Sequence, residues 1–245
     1  MILELDCGNS FIKWRIVCGV YGRPVLRGIA AGVDELLQAI SAAGRPIDHC
    51  RMVSVRGDAE TASLVSAVGA ALGVDVSRAV PSRAIGAVIN GYRDFERLGM
   101  DRWLAIIGAY HLCGRACLVI DTGTAVTVDF VGDDGRHMGG YIAPGIGLMR
   151  EQLLSHTRKV YYGTLEAQAA LSNLAPGRST AEAVERGCVR MMRAYIKSLL
   201  DEASTTLGEN FDVFVTGGDA ALVVDLPGVT FVPDLVFDGL AVVCP

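Results

Sequence analysis

The residues able to do chemistry gather in short glycine turns. The stretch Asp6-Cys7-Gly8-Asn9-Ser10-Phe11-Ile12-Lys13 brings together a carboxylate, an amide, a hydroxyl and an ammonium group. Gly8 lets the backbone turn sharply and come close to a ligand. Backbone N–H groups of such a turn, with the side chains of Asn9 and Ser10, can hold phosphate oxygens. The Asp6 carboxylate can hold a hydrated magnesium ion. Lys13, just across the hairpin, can return its ammonium group to the phosphates. Taken alone, the stretch also reads as a plain hairpin with a polar turn. A second turn, Asp121-Thr122-Gly123-Thr124-Ala125, repeats the logic with hydroxyls. Two such turns facing each other would bracket a nucleoside triphosphate and its metal. No Walker-type Gly-Lys-Ser/Thr is present, and no G-x-G-x-x-G follows the first apolar run, which disfavours a P-loop or a dinucleotide fold.

A third group is Gly99-Met100-Asp101-Arg102. Asp101 can accept a hydroxyl proton, and Arg102 offers a fork suited to a carboxylate. Asp101 can equally cap the helix that follows, and the two roles are compatible. The segment Gly139-Gly140-Tyr141-Ile142-Ala143-Pro144-Gly145 leads from a strand into a helix N-terminus. It serves either close approach of backbone to a ligand or a Gly-Pro turn needed for packing. Thr216-Gly217-Gly218 follows an apolar strand. The four histidines, at 49, 111, 137 and 156, form no ligand spacing and read as structural or exposed.

The elements that must position these turns follow from the apolar pattern. Ile2–Leu5 and Phe11–Cys18 read as strands on either side of the first turn, and Val25–Ala31 as a third. Asp34 is placed to cap a helix through Ala43. Met52–Val55 and Val74–Val80 read as strands around a helix over Ala59–Leu72. Pro81–Arg97 is turn-rich and polar. Asp101–Leu112 has helical periodicity. The opening pattern then returns: Cys117–Ile120 and Ala125–Val131 as strands about the second turn, and Arg136–Ile142 as a third. Helices are expected at Ile146–Ser155 and Thr180–Ala203. The strands Asp212–Val215 and Val229–Val232, with a short helix between them, are expected to complete the chain.

The two openings align at an offset of about 115 residues, with Leu3, Asp6 and Gly8 matching Leu118, Asp121 and Gly123. The pattern is that of a duplicated α/β unit of three strands plus helices. It predicts two halves, 1–114 and 115–245, packed around a cleft near Gly114-Arg115.

Composition agrees with this reading. The chain has 245 residues, 29 of them glycine, and 51% are apolar, which excludes disorder, collagen and a coiled coil. The net charge of −5 argues against a general nucleic-acid binder, which needs a basic surface. Only Lys13, Lys159 and Lys197 are lysines. The seven cysteines include no C-x-x-C pair, so neither a zinc site nor a disulfide framework is indicated, and reduced thiols in a cytoplasmic protein are expected. No uncharged apolar run approaches the ~20 residues that span a bilayer, so no membrane association is expected.

The two hairpins resemble the phosphate motifs of the acetate and sugar kinase, Hsc70 and actin superfamily. Together with Gly99–Arg102, Gly139–Gly145, Thr216–Gly218 and the terminal Pro233-Asp234-Leu235…Gly239-Leu240, their order closely resembles type III pantothenate kinases over essentially the whole chain. The resemblance implies duplicated actin-like (ribonuclease H-like) domains, each a mixed sheet with flanking helices, and a nucleotide cleft between them. It implies ATP-dependent phosphorylation of pantothenate to 4′-phosphopantothenate, the first step of coenzyme A synthesis. Asp6, Gly8, Asn9, Ser10 and Lys13 would bind the ATP phosphates with Thr124, and Asp121 would hold a monovalent cation, K⁺ or NH₄⁺. Tyr92, Gly99, Met100, Asp101 and Arg102 would form the pantothenate pocket, completed by Thr180 of the neighbouring subunit of a homodimer. Asp101 would be the catalytic base. Two alternatives stand beside this reading: another small-molecule (sugar or acid) kinase of the same superfamily, and a non-catalytic actin-like regulatory protein.

Overall fold

In the computed structural model, which describes residues 1–245, alternation of apolar residues builds the first sheet. β1 (Ile2–Cys7) buries Leu3, Leu5 and Cys7, and β2 (Ile12–Val17) buries Ile12, Trp14 and Ile16. β3 (Pro24–Ala30) continues the antiparallel meander. On the other side of β1, β4 (His49–Ser54) and β5 (Val76–Arg78) run parallel, giving the order β3-β2-β1-β4-β5. Parallel strands need a crossover. Two helices follow β3 and β4: α1 (Val33–Ala43), whose Leu36 and Ile40 enter the core, and α2 (Asp58–Leu72), which contributes Leu64 and Val68. Both stop at a left-handed glycine, Gly44 and Gly73. A small hairpin, β6 (Ala84–Ile85) and β7 (Val88–Ile89), and a one-turn 3-10 helix at Phe95–Arg97 lead into α3 (Met100–Cys113).

The second sheet repeats the first. β8 (Cys117–Thr122), β9 (Ala125–Val131) and β10 (His137–Pro144) precede α4 (Ile146–His156), α5 (Thr164–Ala170) and α6 (Thr180–Leu207). β11 (Asp212–Thr216) and β12 (Val229–Phe231) follow. The order β10-β9-β8-β11-β12 matches that of the first sheet place for place, with β8 antiparallel to β9 and parallel to β11. The core beneath it joins Leu118, Ile120, Val126 and Val128 to Val189, Met192 and Ile196 of α6.

The elements depart from the sequence expectations in five places. The N-cap of α1 is Gly32, and Asp34 sits inside the first turn without a capping bond. The strand expected over Val74–Val80 forms only at Val76–Arg78, because Val74 N–H still bonds back to Gly69 of the α2 terminus. The turn-rich segment contains the β6–β7 hairpin. α5 was not expected at all; with seven residues it is too short to show a period.

The last departure is the largest. The chain ends in a helix, α7 (Leu235–Val243), where no element was expected after β12. Its sequence LVFDGLAVV is apolar on almost every side, so no amphipathic period marks it. The chain divides into two compact units, 1–114 with 134–137 and 234–245, and 115–133 with 138–233. The division therefore differs from the expected one: α7 belongs with the first unit. A glycine pair explains why. A Cβ on Gly239 would lie 1.9 Å from the Leu104 carbonyl oxygen, and one on Gly108 would lie 2.5 Å from that of Leu235. Only bare backbone lets α3 and α7 approach so closely. Ion pairs add to the contact, with Arg15 of β2 facing Asp234 at 3.1 Å and Asp238 at 3.3 Å.

Candidate functional site

In the first unit the β1–β2 register places Asp6 directly opposite Lys13. Asn9, Ser10 and Lys13 are exposed, and Asp6 as a residue is half-buried. Burial pushes Asp6 up to about 6; Lys13 pulls it down, and the Asp101 carboxylate pushes it up again. The Asp101 charge is therefore felt at Asp6: the first hairpin and the start of α3 form one polar locus. Cys7, next in the chain, is pushed up to about 12, first by burial and then by Asp6, so it is no nucleophile at neutral pH.

Asp101 stands in the first turn of α3, after the N-cap Gly99. Its Oδ1 accepts the Arg102 N–H at 2.8 Å. A Cβ on Gly99 would lie 2.7 Å from that same oxygen, so the glycine makes room for the folded-back carboxylate. The capping alternative is corrected, since Asp101 lies inside the helix and makes no N-cap bond. Met100 is buried. Arg102 is buried as well, and its Nη1 donates to the Tyr92 hydroxyl at 2.7 Å. Tyr92 in turn stacks on His137, with ring centroids 5.9 Å apart. Asn90 Oδ1 accepts the Tyr92 N–H at 3.0 Å, and Trp103 Nε1 donates to Ser82 Oγ at 3.1 Å. The loop carrying Tyr92 is thereby fastened to α3. Gly99, Met100, Asp101, Arg102 and Tyr92 come together as expected from their neighbourhood, although the arginine fork is already partly engaged.

In the second unit Thr122 closes the β8–β9 ladder opposite Val126. The turn is tight: Gly123 N–H donates to Ala125 O at 3.1 Å, and Gly145 N–H donates to Thr124 O at 3.0 Å. A Cβ on Gly145 would meet Gly123 O at 2.3 Å, so a glycine is needed there for the backbone to pack against the turn. Gly217 has φ +97°, and a Cβ there would lie 2.5 Å from Asp121 Oδ1. Thr122 Oγ1 donates to Thr216 O at 2.9 Å, so the Thr216–Gly218 turn is held against the second hairpin. Asp121 and Thr124 thus share one turn. Thr180 is exposed at the first position of α6, whose N-cap Ser179 accepts the Glu182 N–H at 3.2 Å.

Several residues around these turns escaped the sequence reading. Asn90 lies in turn-rich sequence with no signal to single it out, and His137, read as structural or exposed, is buried. Arg56 follows β4, and its Nε donates to the Gly8 carbonyl at 2.7 Å. Arg150 of α4 pairs with buried Glu185 at 2.6 Å, and the Tyr162 hydroxyl donates to the same carboxylate at 2.8 Å. Long-range pairings of this kind have no sequence spacing to betray them.

A sequence model of the family described as type III pantothenate kinase matches residues 2–202. A type III pantothenate kinase of Ectopseudomonas mendocina is 54% identical over 246 residues, covering 100% of this chain and 99% of its own. One of Pseudomonas syringae pv. syringae is 56% identical over 247 residues, with the same coverage. Among solved structures, ethanolamine utilization protein EutJ from Carboxydothermus hydrogenoformans is similar, with a TM-score of 0.56 at 14% identity, over 98% of this chain and 89% of that one. So is a Campylobacter jejuni protein described under the Baf family of transcriptional activators, with a TM-score of 0.60 at 17% identity, over 97% and 94%. At such identities these two speak to fold alone. The fold is the duplicated actin-like one, each sheet mixed and flanked by helices.

Proposed function

The chain belongs to the type III pantothenate kinase family, and we propose that it phosphorylates the primary hydroxyl of pantothenate with ATP, giving 4′-phosphopantothenate and ADP. The observation that carries this reading is the first-unit locus. A carboxylate on a helix start, Asp101, stands within electrostatic reach of the hairpin in which Asp6 lies opposite Lys13. Phosphoryl transfer asks the protein mainly for positioning and charge stabilisation, and these groups suffice for it.

In this reading Asp6, Gly8, Asn9, Ser10 and Lys13 hold the ATP phosphates, and Thr124 contacts them as well. Asp101 orients the pantothenate hydroxyl and takes its proton as the oxygen bonds to the γ-phosphorus and the bond to the ADP oxygen breaks. Arg102, supported by Tyr92, together with Gly99, Met100 and Thr180, shapes the pantothenate site. Thr180 does so from the partner subunit of a homodimer, which its exposed place at the start of α6 permits. The donor set suits a divalent ion: Asp6 is a hard oxygen ligand whose ionisation a cation favours, and Mg²⁺ is commonly held by one or two carboxylates plus substrate phosphates. Mg²⁺ would supply charge neutralisation at those phosphates. Asp121 is the ligand we assign to a monovalent cation, K⁺ or NH₄⁺. A reducing, cytoplasmic setting is part of this reading, in keeping with seven cysteines that include no C-x-x-C pair.

Asp101→Asn tests the assignment of the base. It should keep the fold and the affinity for ATP while kcat falls by ~10²–10⁴, the usual contribution of a general base. Near-normal turnover in a folded Asp101→Asn variant would remove Asp101 from that role.

A further inference from the structure

We infer that Arg56 is a positioning residue for nucleotide binding: it locks the peptide between Gly8 and Asn9 so that the Asn9 N–H faces the phosphates. The inference rests on the reading of the Asp6–Lys13 hairpin as the phosphate cradle and adds to it the device that holds the cradle open.

The guanidinium is built in from several sides. Its side chain is 10% exposed. Nε donates to Gly8 O at 2.7 Å, and Nη1 bonds Glu60 Oε1 at 2.7 Å, one turn along α2. The backbone behind it is fastened too. Arg56 N–H donates to Ser54 Oγ at 3.2 Å, and Ser54 Oγ meets Thr61 Oγ1 at 2.8 Å in a buried pair. Val55 N–H donates to Cys7 O at 3.2 Å, so two successive carbonyls of the first turn, Cys7 and Gly8, are tied to the end of β4.

The consequence follows from peptide geometry. The chain has no cis peptide bond. In a planar trans unit the C=O and the following N–H point in opposite directions. With Gly8 C=O held toward Arg56, the N–H of exposed Asn9 is turned away from it, to the side where a bound anion can accept it. Without Arg56, the Gly8 carbonyl loses this guanidinium donor. Glycine at that position leaves the peptide free to rotate, and the cradle would lose its pre-set donor. The guanidinium also places a positive charge beside the turn, which a lysine would retain without reproducing the fixed fork.

The test compares Arg56→Ala, Arg56→Lys, Glu60→Gln and Lys13→Ala in steady-state kinetics and in calorimetric titration with ATP·Mg²⁺, with thermal melting as the fold control. The expected result for Arg56→Ala is a rise of tenfold or more in KM and Kd for ATP, with KM for pantothenate within twofold of wild type. Arg56→Lys should recover part of the loss, and Glu60→Gln, which loosens the arginine but leaves it in place, should shift ATP affinity in the same direction by a smaller factor. Unchanged ATP affinity in folded Arg56→Ala, or equal rises in both KM values, overturns the inference. If Arg56→Ala does not fold, Glu60→Gln decides by the same criterion. Lys13→Ala separates the inference from its premise: if it weakens ATP binding while the Arg56 variants do not, the cradle stands and the inference falls. If Lys13→Ala has no effect either, the cradle itself is wrong.

Discussion

At the scale of single residues, burial gives Asp6 a cost in stability at neutral pH. A carboxyl pushed up to about 6 by burial is more easily protonated folded than unfolded, where its value is near 3.8. Its contribution to stability is therefore complete below about pH 4 and is lost as pH rises through about 6. At neutral pH the ionised carboxylate is a burden on the ligand-free protein. Asp6→Asn should raise the stability of that protein at pH 7.5 by ~1–2 kcal/mol, the scale of such a shift after allowance for water at a half-buried group. The gain should shrink to a small fraction of that at pH 4, because the folded carboxyl is then almost wholly protonated. Urea unfolding of the two proteins at both pH values checks this. A stability difference that does not change with pH would contradict the burial argument. The same variant should lose ATP·Mg²⁺ affinity.

At the scale of elements, the position of Asp101 depends on how α3 is seated. The Gly108–Gly239 contact lets α3 and α7 cross with their backbones nearly touching, and a methyl group at 239 has no space before the Leu104 carbonyl. Gly239→Ala should destabilise the protein by ~1–3 kcal/mol, the usual cost of overpacking, read as a lower urea midpoint with an unchanged slope. An unchanged midpoint would show that the contact relaxes without loss. This is also where the sequence stops being informative. The strands about each turn were legible because apolar runs end at Asp-x-Gly, and the duplication was legible from Asp6/Gly8 against Asp121/Gly123. α7 was not, since a helix apolar all round carries no period. Arg56 and His137 were not, because their partners lie far away in sequence: Gly8 is 48 residues from Arg56, and Tyr92 lies on a loop far from β10. Asp101 was legible as an acid before a helix, but the reason for Gly99 became clear only with the folded-back carboxylate.

At the scale of the whole molecule, composition and relationship converge. The chain is acidic, with a net charge of −5, and no helix is long and apolar enough to cross a membrane. Two type III pantothenate kinases match 100% of it at 54% and 56% identity. Both sheets carry the same order, and each ends its first strand at an acidic glycine turn, Asp6 in one and Asp121 in the other. In the proposed reaction this machinery moves a phosphoryl group from ATP to pantothenate. The most direct measurement is ADP release by the purified protein with Mg²⁺ and K⁺, with and without pantothenate, and with sugars as competing acceptors. ADP formation should depend on pantothenate, be matched one to one by 4′-phosphopantothenate and fall when K⁺ is replaced by Na⁺. Absence of pantothenate-dependent ADP, or faster phosphorylation of a sugar than of pantothenate, would contradict it.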